Sequence, residues 1–401
     1  MRHFNSCKSV RKCSKHILKP TTLTPPPFSC QYSPGFAALL HQLQASIALS
    51  TYQAGKVVLL SPKNEQQIVQ LPRSFKKAMG LALTQDRMAI ATLDEVIVLR
   101  NSPELAHHYP GKPQVYDSLY MPRATFFTGA LDIHDLEWGQ DGLYAVNTIF
   151  SCLCKIDANY NFTPIWQPPF ISRLAAEDRC HLNGMAMQQG KPAYATAFND
   201  GDSHKSWRSN ILETGIVMEV PSGRIITEGL AMPHSPRLYH DGLYVLQSGK
   251  GELTRIDPAT GASTTVFTFP GFLRGMDRVG DYLFIGLSQI RASSKTFEKI
   301  DDRLKQSPAG IIAVHLPSGK LVGQLAYQAS VEEIYDVKVL PGLRRPVAHK
   351  QKDQHRQNHP HGAKHHQAAA PAMRFNKIGK RCLRGHSAGH GGEHRQTSQK
   401  G

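Results

Sequence analysis

Ile133–Thr148 reads IHDLEWGQDGLYAVNT, and Pro233–Ser248 reads PHSPRLYHDGLYVLQS. The two stretches match at a shift of 100 residues. Asp141-Gly142-Leu143-Tyr144 recurs as Asp241-Gly242-Leu243-Tyr244, Asn147-Thr148 as Gln247-Ser248, and Ile156-Asp157 as Ile256-Asp257. His134 stands seven residues before Asp141, and His234 seven before Asp241. A repeat in fixed register implies a repeated structural unit, with the two histidines in equivalent places.

Each unit reads as a short apolar strand, an Asp-Gly turn and a second strand, LYAVN or LYVLQ. Asp-Gly suits a two-residue hairpin because both turn residues must tolerate positive φ. A third strand ends in Ile156-Asp157 or Ile256-Asp257, and a fourth follows at Thr163–Phe170 or Thr264–Phe272. Four antiparallel strands in about 40–50 residues is the size of a propeller blade. Weaker copies lie at Gly80–Leu99, Gly184–Phe198 and Gly275–Gln289. One copy is split: Ile334–Leu340 supplies a first strand, and Ala45–Leu60 the strands missing after it. The expected fold is all-β, a six-bladed β-propeller closed by pairing of N- and C-terminal strands, which leaves no open edge. The competing architecture is an open sandwich of hairpins.

The chain has 401 residues and a formal charge of +16. Residues 1–27 carry six Lys/Arg and no acid, and residues 344–401 carry thirteen against two acids, so the body between them stands at −1. The basic balance belongs to the tails. Nucleic acid is therefore expected as a partner only non-specifically, through them. Residues 344–401 also hold nine His among Gln, Lys, Gly and Ala. Too few apolar residues offset ordering there, so both ends are expected to be disordered, with the propeller at 28–343. The last segment reads as a loose binder of divalent metal or polyanions, or as a solvated tail. The N-terminal stretch lacks the continuous apolar core of a secretory signal, and no run approaches the ~20 residues of a membrane helix. Phe36–Leu49 begins as a short amphipathic helix. Seven cysteines without a CxxC pair suggest a reduced, cytoplasmic protein, expected to be monomeric. Cys152 and Cys154 share one face of a strand.

In a propeller the first strand of every blade lines the central channel. Aligning the copies puts Met79, His134, Asn183, His234, Arg274 and Tyr335 in one ring. Lys77, Asp132, Asp135, His181, Ser235, Arg237 and Glu333 lie near it. The second-strand ends add Tyr52, Gln53, Asn147, Thr148, Gln247, Ser248, Ser288 and Gln289. An unpaired buried polar group costs ~1–3 kcal/mol, so such convergence suggests a pocket for a small polar or anionic ligand. His134, His181 and His234 with a carboxylate nearby suit a divalent metal cofactor such as Zn or Fe. A metal-free alternative uses one imidazole as base and another as acid, with Arg stabilising negative charge. Arg237 and Arg274 either clamp an anion or pair with Asp135 and Glu333 and hold blades together.

The strings Ser50–Leu60 (STYQAGKVVLL), Asp132–Leu153 (beginning DIHDL), Pro168–Met187 (containing CHLNG), Met232–Leu253 (beginning MPHSPR), Pro270–Asp277 and Phe284–Arg291 resemble a bacterial family of conserved hypothetical proteins, a domain of unknown function of the β-propeller group. The resemblance runs from about Phe28 to Leu343 and implies the fold without implying an activity. A wider architectural similarity is to gluconolactonase and strictosidine-synthase-like propellers. Those lactonases hold a divalent metal with carboxylate and amide ligands, where this chain offers His134, Asn183 and His234. Fold alone does not transfer function. Two functions remain open: a ligand pocket at the axis, with or without catalysis, or a non-catalytic propeller that presents rim segments to a protein or glycan. The candidate rim segments are Tyr116–Phe127, which would also serve as a lid, and Pro164–Ile171.

Overall fold

The computed structural model describes residues 25–290 and 297–349. The tail expectations for 1–24 and 350–401 lie outside them. The described chain forms six blades, each with four antiparallel strands, and two blades carry a fifth. Blade I consists of Asp336–Pro341, Ala45–Thr51, Lys56–Pro62 and Ile68–Ser74 from the axis outward. Blade III (Ile133–Gly139, Gly142–Asn147, Cys152–Ile156, Thr163–Trp166) and blade V (Pro233–Tyr239, Gly242–Gln247, Glu252–Ile256, Ser263–Thr268) are the two strong copies. Blades II, IV and VI start at Leu81–Leu83, Leu182–Gln188 and Phe272–Val279. Each innermost strand packs on its neighbours in the ring. No helix among the described residues is long and apolar enough to cross a membrane.

Blade I closes the ring as the split repeat requires. Ala45 to Ser50 pair antiparallel with Pro341 to Asp336, joining chain segments almost 300 residues apart. The helix Pro34–Gln42 leads in, with Pro34 in its first turn and Phe36 and Leu40 fully buried. Proline is tolerated there because that N–H has no helical partner.

The sheet continues past residue 343, where the sequence reading ended the domain. Pro346–Ala348 adds a parallel strand to Ser118–Tyr120 at the outer edge of blade II. The Asp117 carboxylate accepts the backbone N–H groups of Arg344 and Arg345 (2.7 and 2.9 Å), and Arg73 Nε donates to the Ala348 carbonyl (2.5 Å). Residues 344–349 therefore belong to the fold. At the other end Cys30–Tyr32 pairs with Leu325–Tyr327 at the edge of blade VI. Cys30–Tyr32 and Pro346–Ala348 thus cover the outer strands of two blades with short edge strands, one way of blunting an edge that would otherwise template aggregation. The segment Tyr116–Phe127 is largely the outer strand Ser118–Phe127, with Tyr116 and Tyr120 buried, so it is not a lid.

Blades meet closely at the axis. A Cβ on Gly80 would lie 3.0 Å from Asp135 Cα, and one on Gly275 would lie 2.7 Å from Asp336 Cα. The side chains that follow the ring positions staple one blade to the next. Asp135 Oδ2 accepts Met185 N–H (3.1 Å), Asp336 Oδ2 accepts Leu81 N–H (2.9 Å) and Ser235 Oγ accepts Gly275 N–H (3.0 Å). Hydroxyls at the second-strand ends do the same. Thr148 donates to Leu182 O, Ser248 to Leu273 O and Ser288 to Ile334 O. Arg237 fills the channel among these staples. Its guanidinium bonds Asp135 at 2.8 and 3.2 Å and lies 3.7 Å from Asp336 and 3.8 Å from Glu137, which also pairs with Lys338.

Candidate functional site

One end of the channel, beyond Arg237, opens into a cavity of about 210 Å³ built in two tiers. The lower tier is the ring inferred from the repeat. Met79, His134, His234, Arg274 and Tyr335 line the cavity, while Asn183 sits beneath it on a void of about 10 Å³. Two residues before each lower position comes the upper tier, from which Asp132, His181, Met232, Phe272 and Glu333 line the cavity. In four successive blades the residue at this place is left-handed: Lys77, Asp132, His181 and Met232 have φ of 50–51°. Such a conformation is unfavourable for a residue with a side chain and persists where the surrounding structure holds it. Tyr52, Phe198, Trp207 and Phe297 complete the walls.

His134 and His234 are held identically. His134 Nδ1 lies 2.8 Å from Asp132 O and 2.8 Å from Thr148 Oγ1; His234 Nδ1 lies 3.0 Å from Met232 O and 2.7 Å from Ser248 Oγ. A carbonyl only accepts. Each hydroxyl has already given its one proton to a carbonyl of the next blade, at Leu182 or Leu273. Both neighbours of Nδ1 therefore accept, and Nδ1 must carry the proton. The other nitrogen, Nε2, keeps its lone pair, and among the described residues it makes no hydrogen bond. Burial, then the neighbouring His181 and Arg274, pushes the His134 pKa well below the usual imidazole range; burial, then Arg274 and His181, does the same for His234. Both rings are neutral acceptors at physiological pH.

This has a consequence for acid stability. The native rings stay neutral while the unfolded chain takes up protons as pH falls below about 6.5. The unfolded state then binds more protons, so stability is present above that pH and is lost progressively below it. Replacing either histidine by Gln should remove up to about 1.4 kcal/mol per pH unit from the slope of that loss. Unfolding midpoints measured from pH 7 to 5 check it. Equal slopes in the variants would show that the rings protonate freely in the native protein.

His181 is tied differently. Its Nδ1 faces the Asp178 carboxylate at 3.0 and 3.3 Å, and that carboxylate also accepts Trp207 Nε1–H at 3.1 Å. The ring packs on Trp207 (4.3 Å between centroids), on Phe198 (4.5 Å) and edge-on against His134 (4.8 Å). Phe198 also touches His234 at 5.2 Å, between it and His181. Among the described residues no group of three or more His, Cys, Asp or Glu is placed to hold a metal ion. Arg274 stacks on Tyr335, 3.7 Å from its centroid, and pairs with Glu333 at 3.2 Å. The Tyr335 hydroxyl is buried and has no hydrogen-bond partner among the described residues. Burial pushes Asp132 above the usual carboxylate range, against the opposing field of His181.

The structure thus brings together His134, His181, His234, Arg274, Glu333 and Tyr335. It places Asn147, Gln247 and Arg237 elsewhere. Adjacent residues of a strand face opposite sides. Thr148 and Ser248 reach the histidines, so Asn147 and Gln247 turn away. Asn147 Oδ1 accepts Phe150 N–H, and Gln247 Nε2 donates to Thr254. Asn183 is spent on His181 O and Thr196. Arg237 is the channel plug. Asp178, Phe198 and Trp207 were missed. Phe198 follows the second strand of blade IV as Thr148 and Ser248 follow theirs, a signal hidden by attending to polar residues alone.

Two solved structures are similar in fold. One, described as a nidogen/laminin complex, has a TM-score of 0.49 at 13% identity, covering 74% of this chain and 99% of that one. The other, a protein of unknown function from Bacteroides caccae, has a TM-score of 0.46 at 10% identity, covering 74% and 98%. No curated protein matches the sequence. The family model of a domain of unknown function, DUF4915, matches residues 34–349, from the lead-in helix to the strand that covers blade II, and the chain belongs to that family.

Proposed function

We propose that the protein binds, at the axial cavity, a small polar molecule that carries hydrogen-bond donors such as hydroxyl or amino groups. The observation that carries this reading is the pair of clamped imidazoles. Two neutral Nε2 lone pairs accept protons and repel an anion's lone pairs. Arg274 is already paired with Glu333, which weakens it as an anion clamp. Asp132 adds acceptor capacity, the Tyr335 hydroxyl adds one donor, and the aromatic walls suit the carbon faces of a small molecule. About 210 Å³ suits a compact metabolite rather than a polymer.

The test is thermal unfolding of the full chain against a panel of polyols, sugars, small amines and donor-free anions such as sulfate. A compound at a hundred times its Kd stabilises by about 2.7 kcal/mol. At least one donor-bearing compound should stabilise the native chain and fail to stabilise His134→Ala/His234→Ala. Stabilisation only by donor-free anions, or equal stabilisation of the variant, would overturn the reading.

A further inference from the structure

We propose that His181, oriented by Asp178, is a general base of this cavity, able to take a proton from a hydroxyl group of the bound molecule. The inference rests on the cavity being the ligand site and adds chemistry to it. The argument begins with the carboxylate. Asp178 is buried, and its two oxygens serve two donors, His181 Nδ1–H and Trp207 Nε1–H. A carboxylate accepts only, so Nδ1 carries a proton, and in the neutral ring, the form a base requires, Nε2 of His181 holds the lone pair. Both residues are left-handed, Asp178 with φ 48° and His181 with φ 51°. Gly129 with Asp132 and Gly229 with Met232 repeat this backbone in two other blades, so the turn belongs to the blade repeat; what is peculiar to this blade is that the turn carries a carboxylate and an imidazole and brings them together.

The third imidazole thereby differs from the other two. His134 and His234 are clamped by neutral carbonyl and hydroxyl oxygens, which do nothing to balance an imidazolium. His181 has a carboxylate on its far nitrogen, which compensates the positive charge that forms when Nε2 is protonated. The other charged or titratable groups around this cluster include Asp132, His134, His234, Arg274, Lys77 and Cys180. In the step proposed, the ligand's O–H bond breaks and an Nε2–H bond forms. The electron pair stays on the ligand oxygen, where the Tyr335 hydroxyl and, more weakly because of its Glu333 partner, the Arg274 guanidinium are available stabilisers. In the reverse step the Nε2–H bond breaks and the proton returns to the ligand oxygen. Asp178 is a positioning residue in this scheme, since it acts through His181.

The probe is diethyl pyrocarbonate, which acylates an imidazole only through an unprotonated nitrogen. Native full-length chain is treated at neutral pH and the modified histidines are located by mass spectrometry. His181 should be modified in the native chain. In Asp178→Asn the amide oxygen stays with Trp207 Nε1–H and the NH₂ group turns to Nδ1. That forces the proton onto Nε2, so modification of His181 should slow about tenfold or more, as expected for the wrong tautomer. Asp178→Glu should restore part of the rate. Less than a twofold change in Asp178→Asn, or a His181 that reacts only after denaturation, would overturn the proposal. Should Asp178→Asn fail to fold, long-range proton–nitrogen NMR of the native chain decides: Nδ1–H with a bare Nε2 on His181 supports the base, and a proton on Nε2, alone or together with Nδ1–H, overturns it. These readouts need no ligand, so the base can fail while the His134/His234 pocket stands, and the reverse.

Discussion

Truncating the chain before residue 330 should abolish cooperative unfolding, whereas truncating it after His349 should leave unfolding unchanged. The first cut removes Asp336–Pro341 and with it the whole ladder to Ala45–Thr51. It also removes the Asp336 staple to Leu81 N–H and the Lys338 partner of Glu137. Two inner faces, on blades II and VI, lose their neighbour. A ring with one innermost strand missing has an open edge and exposed apolar cores on both sides. A cut after Leu343 should fall between these limits. It strips Pro346–Ala348 from blade II and frees the Asp117 and Arg73 hydrogen bonds, costing on the order of 1–3 kcal/mol. Denaturant unfolding with size-exclusion chromatography reads all three. A monomeric, cooperatively unfolding chain that ends before residue 330 would rule out the closed ring.

The second large effect is expected at Arg237. Its guanidinium is buried against Asp135, with Asp336 and Glu137 close by, while Lys338 brings a second cation to the cluster. Burial pushes the Asp336 carboxyl up to about 6 even with Lys338 and Arg237 beside it. Arg237→Met should strand buried carboxylates and cost about 3–5 kcal/mol. Asp135→Asn added to it should recover part of the loss, because a neutral amide costs less to leave without a cation. A compound that stabilises the native chain through the cavity should still do so in Arg237→Met, since Arg237 lies below the cavity. A loss of under 1 kcal/mol would mean that the network is hydrated and does not hold the blades.

The sequence made the blades legible because two of them repeat in register. An Asp-Gly turn with a histidine seven residues before it is a pattern that only equivalent units produce. The lower tier of the cavity followed from that register, and so did the closing of blade I from both ends. The errors came where the repeat carries no information. Asn147 and Gln247 lie next to Thr148 and Ser248, which reach the cavity histidines, and in a strand the next residue faces the other way. Arg237 lies at an axial position like a ligand-binding residue, but its depth in the channel depends on which residues of other blades surround it. Asp178 stands where blades III and V carry Gly129 and Gly229, and Trp207 comes from a long connection between the second and third strands that those two strong copies lack. Residues 344–349 begin with Arg344-Arg345 and resemble the basic tail in composition. They join the fold through backbone N–H groups and three strand residues, which composition does not register.

The pair of clamped imidazoles underlies the ligand reading. Long-range proton–nitrogen correlation NMR of the histidine rings at neutral pH tests it most directly. The structure predicts that His134 and His234 are both neutral, each protonated on Nδ1 and bare on Nε2, because both neighbours of Nδ1 can only accept. A proton on Nε2 of either ring, or on both nitrogens, would contradict the account.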